Sequence, residues 1–463
     1  MDRLDRAEAV PGSFRDPSGF LFLRGGSLYR QVNTYYKDDY ERLMGSGLYK
    51  ELAGCGLLIP HEEIGAEALV PGQAYKVIRP EPVPFVSYPY EWCFSQLKDA
   101  ALATLEIQKA ALRFGMSLKD CSAYNIQFTR GKPVLVDTLS FEYYVEGRPW
   151  VAYRQFCQHF LAPLALMSRK DIRLSQLLRV YIDGIPLDLA SALLPYASRF
   201  SFSLLAHIHF HAQAQVRLSA VQAQKPTGRV GRLSFMGLIE SLESAVKGLK
   251  WQAQGTEWSE YYQDTNYSPD GFQQKKDIIS GFLGKIGPKT VWDLGSNVGI
   301  FSRIASRSAA FTVSFDIDPA VVEKNYLGCI KEGEENVLPL LLDLANPTPG
   351  IGWNNKERMS FFERGPVDMV FALALVHHLA ISNNLPFDRI ADFFAKICSW
   401  LVIEFVPKED SQVQRILGVR DDIFLEYDQQ SFEREFRKHF EIQDSIKIKD
   451  SKRTLYLMKK IPV

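Results

Sequence analysis

Val291-Trp292-Asp293-Leu294-Gly295-Ser296-Asn297-Val298-Gly299 decides how the second half of this chain is read. An apolar run enters a glycine-bearing turn, and a helical pattern opens at Ile300. The pattern predicts a buried strand, a tight bend and a helix in direct succession. Gly295 allows the sharp turn, and its missing Cβ lets a ligand approach the backbone closely. The helix amides just beyond favour a carboxylate or phosphate.

Further apolar runs follow: VSFDI from Val313, VLPLLLDL from Val337, VDMVFAL from Val367 and WLVIEFV from Trp400. Helical stretches separate them, and this alternation predicts a doubly wound parallel sheet. Two of the runs end in acids, Asp316 and Asp343. An acid at the first of these tips can accept both ribose hydroxyls of a nucleoside. At the second, Asp343 is placed to accept from an adenine amino group. Near the end, IQDSIKIKD and RTLYLMKK read as an antiparallel strand pair.

Asp293-x-Gly295-x-Asn297-x-Gly299, then Asp316, Asp343 and Val367–His378, resemble the motif series of class I methyltransferases that use S-adenosylmethionine (SAM). The resemblance spans residues 255–463 in the right order and includes the closing strand pair. It implies a SAM site made by Asp293, Gly295, Ser296, Asn297, Gly299, Asp316, Asp343 and Leu344. Residues Trp258 to Lys276 resemble the lead-in helix that often caps the cofactor in that family. The chain departs from the family at Asn297, where a middle glycine is common. Asn tolerates the unusual backbone angles such a turn needs. Two alternatives are a dinucleotide-binding Rossmann domain, whose G-x-G-x-x-G is not matched here, and an α/β core without activity.

Methyl transfer needs an acceptor atom held in line with the sulfonium, and a weakly acidic acceptor also needs a base. His377, in Val376-His377-His378-Leu379, and Glu404, at the end of WLVIEFV, are the candidate catalytic residues. The alternatives are histidines that only shape a helix start and a glutamate that caps or forms a salt bridge. The Asn-Pro-Pro-aromatic motif of the family's amide methyltransferases is absent from this position. The expectation is oxygen methylation of a small molecule, glycan or phosphate.

The first half carries a second pattern. Residues 19–33 read as a hairpin around Gly25-Gly26, residues 35–55 as a helix, and 94–115 as a helix stopped by Gly115. Between these helices, residues 75–92 read as extended and broken by prolines. After the second helix come Asp120 and Asn125 on a loop, two short strands near Ile126 and Val134, and Asp137. This series resembles the catalytic loop and metal-binding acid of kinase-like phosphotransferases. The resemblance implies Asp120 as base, with Asn125 and Asp137 holding magnesium for ATP. It departs in lacking the usual glycine-rich phosphate loop, in Leu118 where His is usual, and in Arg30 where the phosphate-binding Lys is expected. The alternative is a helical substrate-recognition domain in which Asp120 and Asn125 shape a turn. His207, His209 and His211 would share a face only if AHIHFHAQ were a strand, and its surroundings read as helix.

The fold class expected is therefore a Rossmann-like doubly wound α/β domain preceded by an α+β kinase-like domain. The boundaries read as 1–221 for the first domain, 222–254 for a linker and helix, and 255–463 for the methyltransferase. The chain has 463 residues, long enough for two or three domains. Lys+Arg and Asp+Glu both total 54, which argues against a polyanion binder that works by bulk charge, so no nucleic-acid partner is expected. The six cysteines are scattered, which fits a reducing cytoplasm, and no pair has zinc-ligand spacing. No apolar run is long enough for a membrane span, and the N-terminus lacks the apolar core of a signal peptide. Three functions are open: a small-molecule or glycan O-methyltransferase, a bifunctional kinase–methyltransferase acting on a saccharide, and a scaffold that only binds nucleotides.

Overall fold

The computed structural model describes residues 7–211, 231–253 and 267–462. The chain divides into two units: residues 1–251 with 351–358, and residues 252–350 with 359–463. The sequence boundaries at 221/222 and 254/255 lie outside the described residues.

In the second unit, helix α5 (Pro269–Ile286) is preceded by Ser268, whose Oγ accepts a hydrogen bond from Gly271 N at 3.0 Å; helices α1–α4 belong to the first unit. Pro269 presets the first turn, and Gly287 ends the helix in the left-handed region at φ 62°. The sheet strands are β10 (Thr290–Leu294), β11 (Phe311–Asp316), β12 (Val337–Leu341), β13 (Val367–Ala372), β14 (Cys398–Phe405), β15 (Phe440–Lys447) and β16 (Thr454–Lys460). Their spatial order is β12-β11-β10-β13-β14-β16-β15. The first five run parallel, and β16 is antiparallel to both β14 and β15. This is the Rossmann-like sheet expected from the alternating apolar runs, with the closing pair as its reversed edge. β10 comes first in the chain yet lies in the middle, with β11 and β13 leaving it in opposite directions. That reversal opens a crevice at the carboxyl tips of the strands.

One face of the sheet is covered by Ile279, Phe282 and Leu283 of α5 and by Phe301 and Ala305 of α6 (Ile300–Ser306). They pack on Val291, Met369, Phe371, Val402, Leu455 and Leu457. Each such apolar side chain contributes about 1.5–3 kcal/mol on burial. Helices α7 (Pro319–Glu332), α8 (Phe387–Ile397), α9 (Ser411–Leu417) and α10 (Gln429–Phe436) complete the unit.

The first unit contains a five-stranded antiparallel sheet in the order β1-β2-β3-β5-β4. These strands are β1 (Glu8–Ala9), β2 (Gly19–Arg24), β3 (Ser27–Asn33), β4 (His61–Ile64) and β5 (Ala74–Pro80). Gly25 and Gly26 link β2 to β3 with φ of 56° and 75°, the double positive φ of a tight hairpin turn. The expected helix over 35–55 is two helices, α1 (Lys37–Gly45) and α2 (Leu48–Gly54), parted at Gly47 with φ 92°. Helix α3 (Phe94–Arg113) is followed by Gly115 at φ 73°. The short strands β6 (Met116–Leu118), β7 (Ile126–Thr129), β8 (Lys132–Leu135) and β9 (Phe141–Tyr143) pair as β6 with β9 and β7 with β8. Short helical segments occupy much of residues 153–211. Helix α4 (Arg232–Gly248) belongs to this unit, where Lys109 pairs with its Glu243 at 2.6 Å.

Residues 205–209 are helical, so His207 and His209 do not converge as they would on a strand. His207 bonds Tyr153 Oη at 2.8 Å and Ser241 Oγ at 2.9 Å, and His209 bonds Ser191 Oγ at 2.7 Å and Ser198 Oγ at 2.9 Å. Hydroxyls therefore engage both ring nitrogens of each.

Candidate functional site

The carboxyl tips of β10 to β13 open into a cavity of about 590 Å³. Asp293, Gly295, Ser296, Asn297, Asp316, Asp343 and Leu344 all line it. The turn after β10 is built as its composition requires. Gly295 has φ 74° and Asn297 φ 50°, so the asparagine adopts the left-handed angle that a glycine would otherwise supply. Gly295 N and Ser296 N both donate to Phe315 O at 2.9 Å, fastening the turn to the tip of β11.

Asp316 accepts from Asn297 N at 2.8 Å and from Asp318 N at 3.0 Å. Burial nevertheless pushes its pKa up to about 6. Asp293 accepts from Ser302 Oγ at 2.6 Å, and burial, with the Asp316 charge adding to it, raises its pKa to about 7. Asp293 thus stands near its protonation midpoint at neutral pH, while Asp316 is mostly ionised. A bound cation or hydroxyl donor would relieve both. Ile317, Leu342, Leu344 and Leu375 give the same cavity apolar walls.

Gly299, the remaining residue of the expected cofactor set, sits behind the turn. It does not line the cavity: a Cβ there would sit 2.3 Å from Asn325 Oδ1. Its φ of 79° and this close packing behind the turn explain the glycine.

His377, expected as a candidate catalytic residue, does not line the cavity. It is 1% exposed, and its Nδ1 has no hydrogen-bond partner among the described residues. Its ring packs 4.2 Å from that of His378, and His378 is the one on the cavity wall. Burial, then the Arg453 charge, lower the His378 pKa to about 4, so the imidazole is neutral at pH 7.

Glu404, the second expected catalytic residue, is fully buried behind the wall. It pairs with Lys275 Nζ at 2.7 Å, accepts Ala374 N at 2.7 Å and receives a short bond from Tyr267 Oη. Lys275 and Arg453 hold its pKa below the usual range despite burial. A carboxylate held by these bonds orients the wall, and its lowered pKa makes it a weak base. Arg453, also fully buried, donates to Tyr267 Oη at 2.8 Å and clasps Asp410 with two bonds of 2.8 and 3.0 Å. No local pattern announces this Tyr267–Lys275–Glu404–Arg453–Asp410 network, because its members come from distant parts of the chain.

In the first unit, Arg30 on β3 and Asp137 are 2.5 Å apart, and both are largely buried. Asp137 also accepts Leu139 N at 3.0 Å and Ser140 Oγ at 2.9 Å. Asp120 accepts Ser122 N at 2.9 Å and Gln155 Nε2 at 2.8 Å, and burial, then the Asp137 charge, raise its pKa. Asn125 O accepts Val136 N at 2.8 Å, which ties this loop to the segment that carries Asp137. The three residues expected to form a metal-dependent site are thus near one another. Asp137, however, already has a guanidinium, a hydroxyl and an amide around its two oxygens, an arrangement that does not fit a divalent cation.

No protein-family profile matches the chain. The nodulation protein NoeA of Rhizobium meliloti (strain 1021) is 34% identical over 462 residues, covering 97% of this chain and 96% of that protein. This chain belongs to the NoeA family. Among solved structures, magnesium protoporphyrin IX methyltransferase (ChlM) from Synechocystis PCC 6803 with bound SAH is 17% identical over 41% of this chain and 84% of that one, with a TM-score of 0.31. The N-methyltransferase NodS from Bradyrhizobium japonicum WM9 is 9% identical over 42% of this chain and 99% of that one, with a TM-score of 0.32. The bifunctional kinase-methyltransferase WbdD is 17% identical over 47% of this chain and 46% of that one, with a TM-score of 0.30. Among the described residues of this NoeA-family chain, no helix is long and apolar enough to cross a membrane.

Proposed function

We propose that the second unit is a SAM-dependent methyltransferase that acts on an oxygen of a small molecule or glycan. The observation that carries this reading is the set of acids Asp293, Asp316 and Asp343 around one cavity at successive strand tips. The residues present fit the cofactor. Asp316 offers a carboxylate to ribose hydroxyls, Ile317, Leu342 and Leu344 offer apolar contact to a purine, and the Gly295 turn leaves room for the amino-acid tail. When bound, SAM supplies an electrophilic methyl group. Asp293 backs the turn, and its negative charge favours a cationic ligand. His378, neutral at pH 7, can accept a hydrogen bond from an acceptor hydroxyl, and with a pKa of about 4 it takes the proton as that oxygen turns acidic on gaining the methyl group. The Glu404 network holds Ala374 and Tyr267 in place on the wall.

Calorimetry on the full chain tests the reading. SAM should bind, and His378→Ala should leave that affinity intact. The same substitution should cut methyl transfer from tritiated SAM to cell-extract acceptors by about 10²–10⁴-fold if His378 is the base. Absence of any SAM binding would end the proposal.

For the first unit we infer a kinase-like module that serves binding, not phosphotransfer. The support is its element series: an antiparallel sheet, the extended segment after β5, the long α3, the Asp120–Asn125 loop and Asp137. The ion pair between Arg30 and Asp137 weighs against magnesium at that position. A bifunctional enzyme acting on a saccharide would require that pair to open. Calorimetry with ATP, with and without magnesium, separates the two readings.

A further inference from the structure

The cavity has two chemically different walls. The acids stand at the tips of β10, β11 and the segment after β12. The opposite wall comes from the turn after β13 and from α9, which follows β14. Helix α9 and the residues just past it present Gln412, Arg415, Ile416 and Val419 to the cavity, the spacing of one helical face. β13 lies between β10 and β14 in the sheet, so the tips of those two strands are separated by about 10 Å, or two strand spacings.

Two cationic side chains line the cavity, Lys275 and Arg415. Lys275 is consumed by Glu404 at 2.7 Å. Arg415 has no ion pair or hydrogen bond among the described residues. Its helix is nonetheless held firmly. Asp410 caps α9 by accepting Gln412 N at 2.9 Å, and the same carboxylate is clasped by the buried Arg453. Just beyond the helix, Arg420 donates to Asn384 Oδ1 at 2.7 Å and to Ile381 O, stitching α9 to the turn that begins at His378. A guanidinium without a partner among the described residues is therefore presented on a fixed support, in the cavity that His378 also lines.

We propose that Arg415 determines acceptor specificity by binding an anionic group, a carboxylate, phosphate or sulfate, carried by the methyl acceptor. This rests on the methyltransferase reading and refines its substrate class. A planar guanidinium suits such groups because it can donate two parallel hydrogen bonds. The acids at the opposite tips repel the anion and fix which end of the cavity it enters. His378 lines the same cavity, where a hydroxyl of the same molecule would meet it.

The test uses the full chain in calorimetry. S-adenosylhomocysteine (SAH) is titrated first. Failure to bind would end the methyltransferase reading and this inference together. The SAH-loaded protein is then titrated with glucuronate, glucose 6-phosphate, glucose 6-sulfate and neutral glucose, which separates the three anion chemistries. At least one anionic sugar should bind more tightly than glucose. Arg415→Gln should weaken that binding by about tenfold or more, while Arg415→Lys keeps most of it. SAH affinity should be the same in all three proteins. Equal binding of every sugar to wild type and Arg415→Gln would overturn the proposal while leaving the cofactor reading intact. So would an absence of anionic sugar binding to wild type. A loss of SAH affinity in Arg415→Gln would instead assign Arg415 to the cofactor's own carboxylate and overturn the proposal as well.

Discussion

Each unit gathers acids at the ends of strands and loops, but the two sets are in opposite condition. At the sheet tips of the second unit, Asp293 and Asp316 are buried beside a cavity with no cationic partner bonded to either among the described residues, and burial raises both pKa values. In the first unit, Asp137 is already neutralised by Arg30. A carboxylate with spare capacity beside open space is poised for a ligand. One saturated by its own fold serves the fold. Motif spacing alone does not distinguish these conditions, since both acid sets fit the spacing of a functional family.

The largest effect should come from Glu404→Gln, which strips the compensating charge from the buried Lys275 and Arg453. It should cost about 3–5 kcal/mol in the urea unfolding of the second unit. A loss below 1 kcal/mol would mean that the network is not what holds the wall. Next, Asp316→Asn should lower SAM affinity by about 10–100-fold in calorimetry with little change in unfolding midpoint. Unchanged affinity would misplace the ribose contact.

A pH series gives a smaller effect with a definite sign. As pH falls from 8 to 5.5, Asp293 and Asp316 take up protons through about 7 and about 6, so SAM binding should weaken. For the unliganded protein the sign reverses. These two carboxyls hold protons in the fold that they have lost in the unfolded chain, so their contribution to stability declines as pH rises from about 4 through 7. The thermal shift produced by SAM should therefore be greater at pH 8 than at pH 6, and a flat profile would contradict the ionisation assigned here. The smallest effect is expected in the first unit. Magnesium should change ATP affinity by less than about threefold while the Arg30–Asp137 pair is intact. Strong magnesium dependence in wild type, lost in Asp137→Ala, would restore the phosphotransfer reading.

The sheet of the second unit was legible because parallel strands buried on both faces read as continuous apolar runs, and Asp316 and Asp343 punctuate their tips. The Asn297 turn was legible for the same reason: few residues tolerate its φ of 50°. What could not be read depended on partners remote in sequence. Glu404 looked available because Lys275, 129 positions away, carries no local signal. Gly299 looked like a ligand contact because the Asn325 amide that requires it lies on another helix. His377 and His378 are adjacent, and which one faces the cavity is set by the rotation of the turn, a property that side-chain identity does not encode. In the first unit, the break at Gly47 was missed because apolar periodicity continues across it.

The dependence of the cavity wall on Arg453 bears on how the polypeptide matures as it is made. Strands β10 to β14 can emerge and pair before residue 453 exists, but Glu404, Asp410 and Tyr267 then lack the guanidinium that joins them. During that interval the tips of the sheet are present, and α9 keeps its Arg420 contacts but lacks the clasp of Arg453 on its capping Asp410. Competence to bind a ligand should accordingly trail secondary structure during translation, and nascent chains stalled before β16 should be protease-sensitive across residues 405–420.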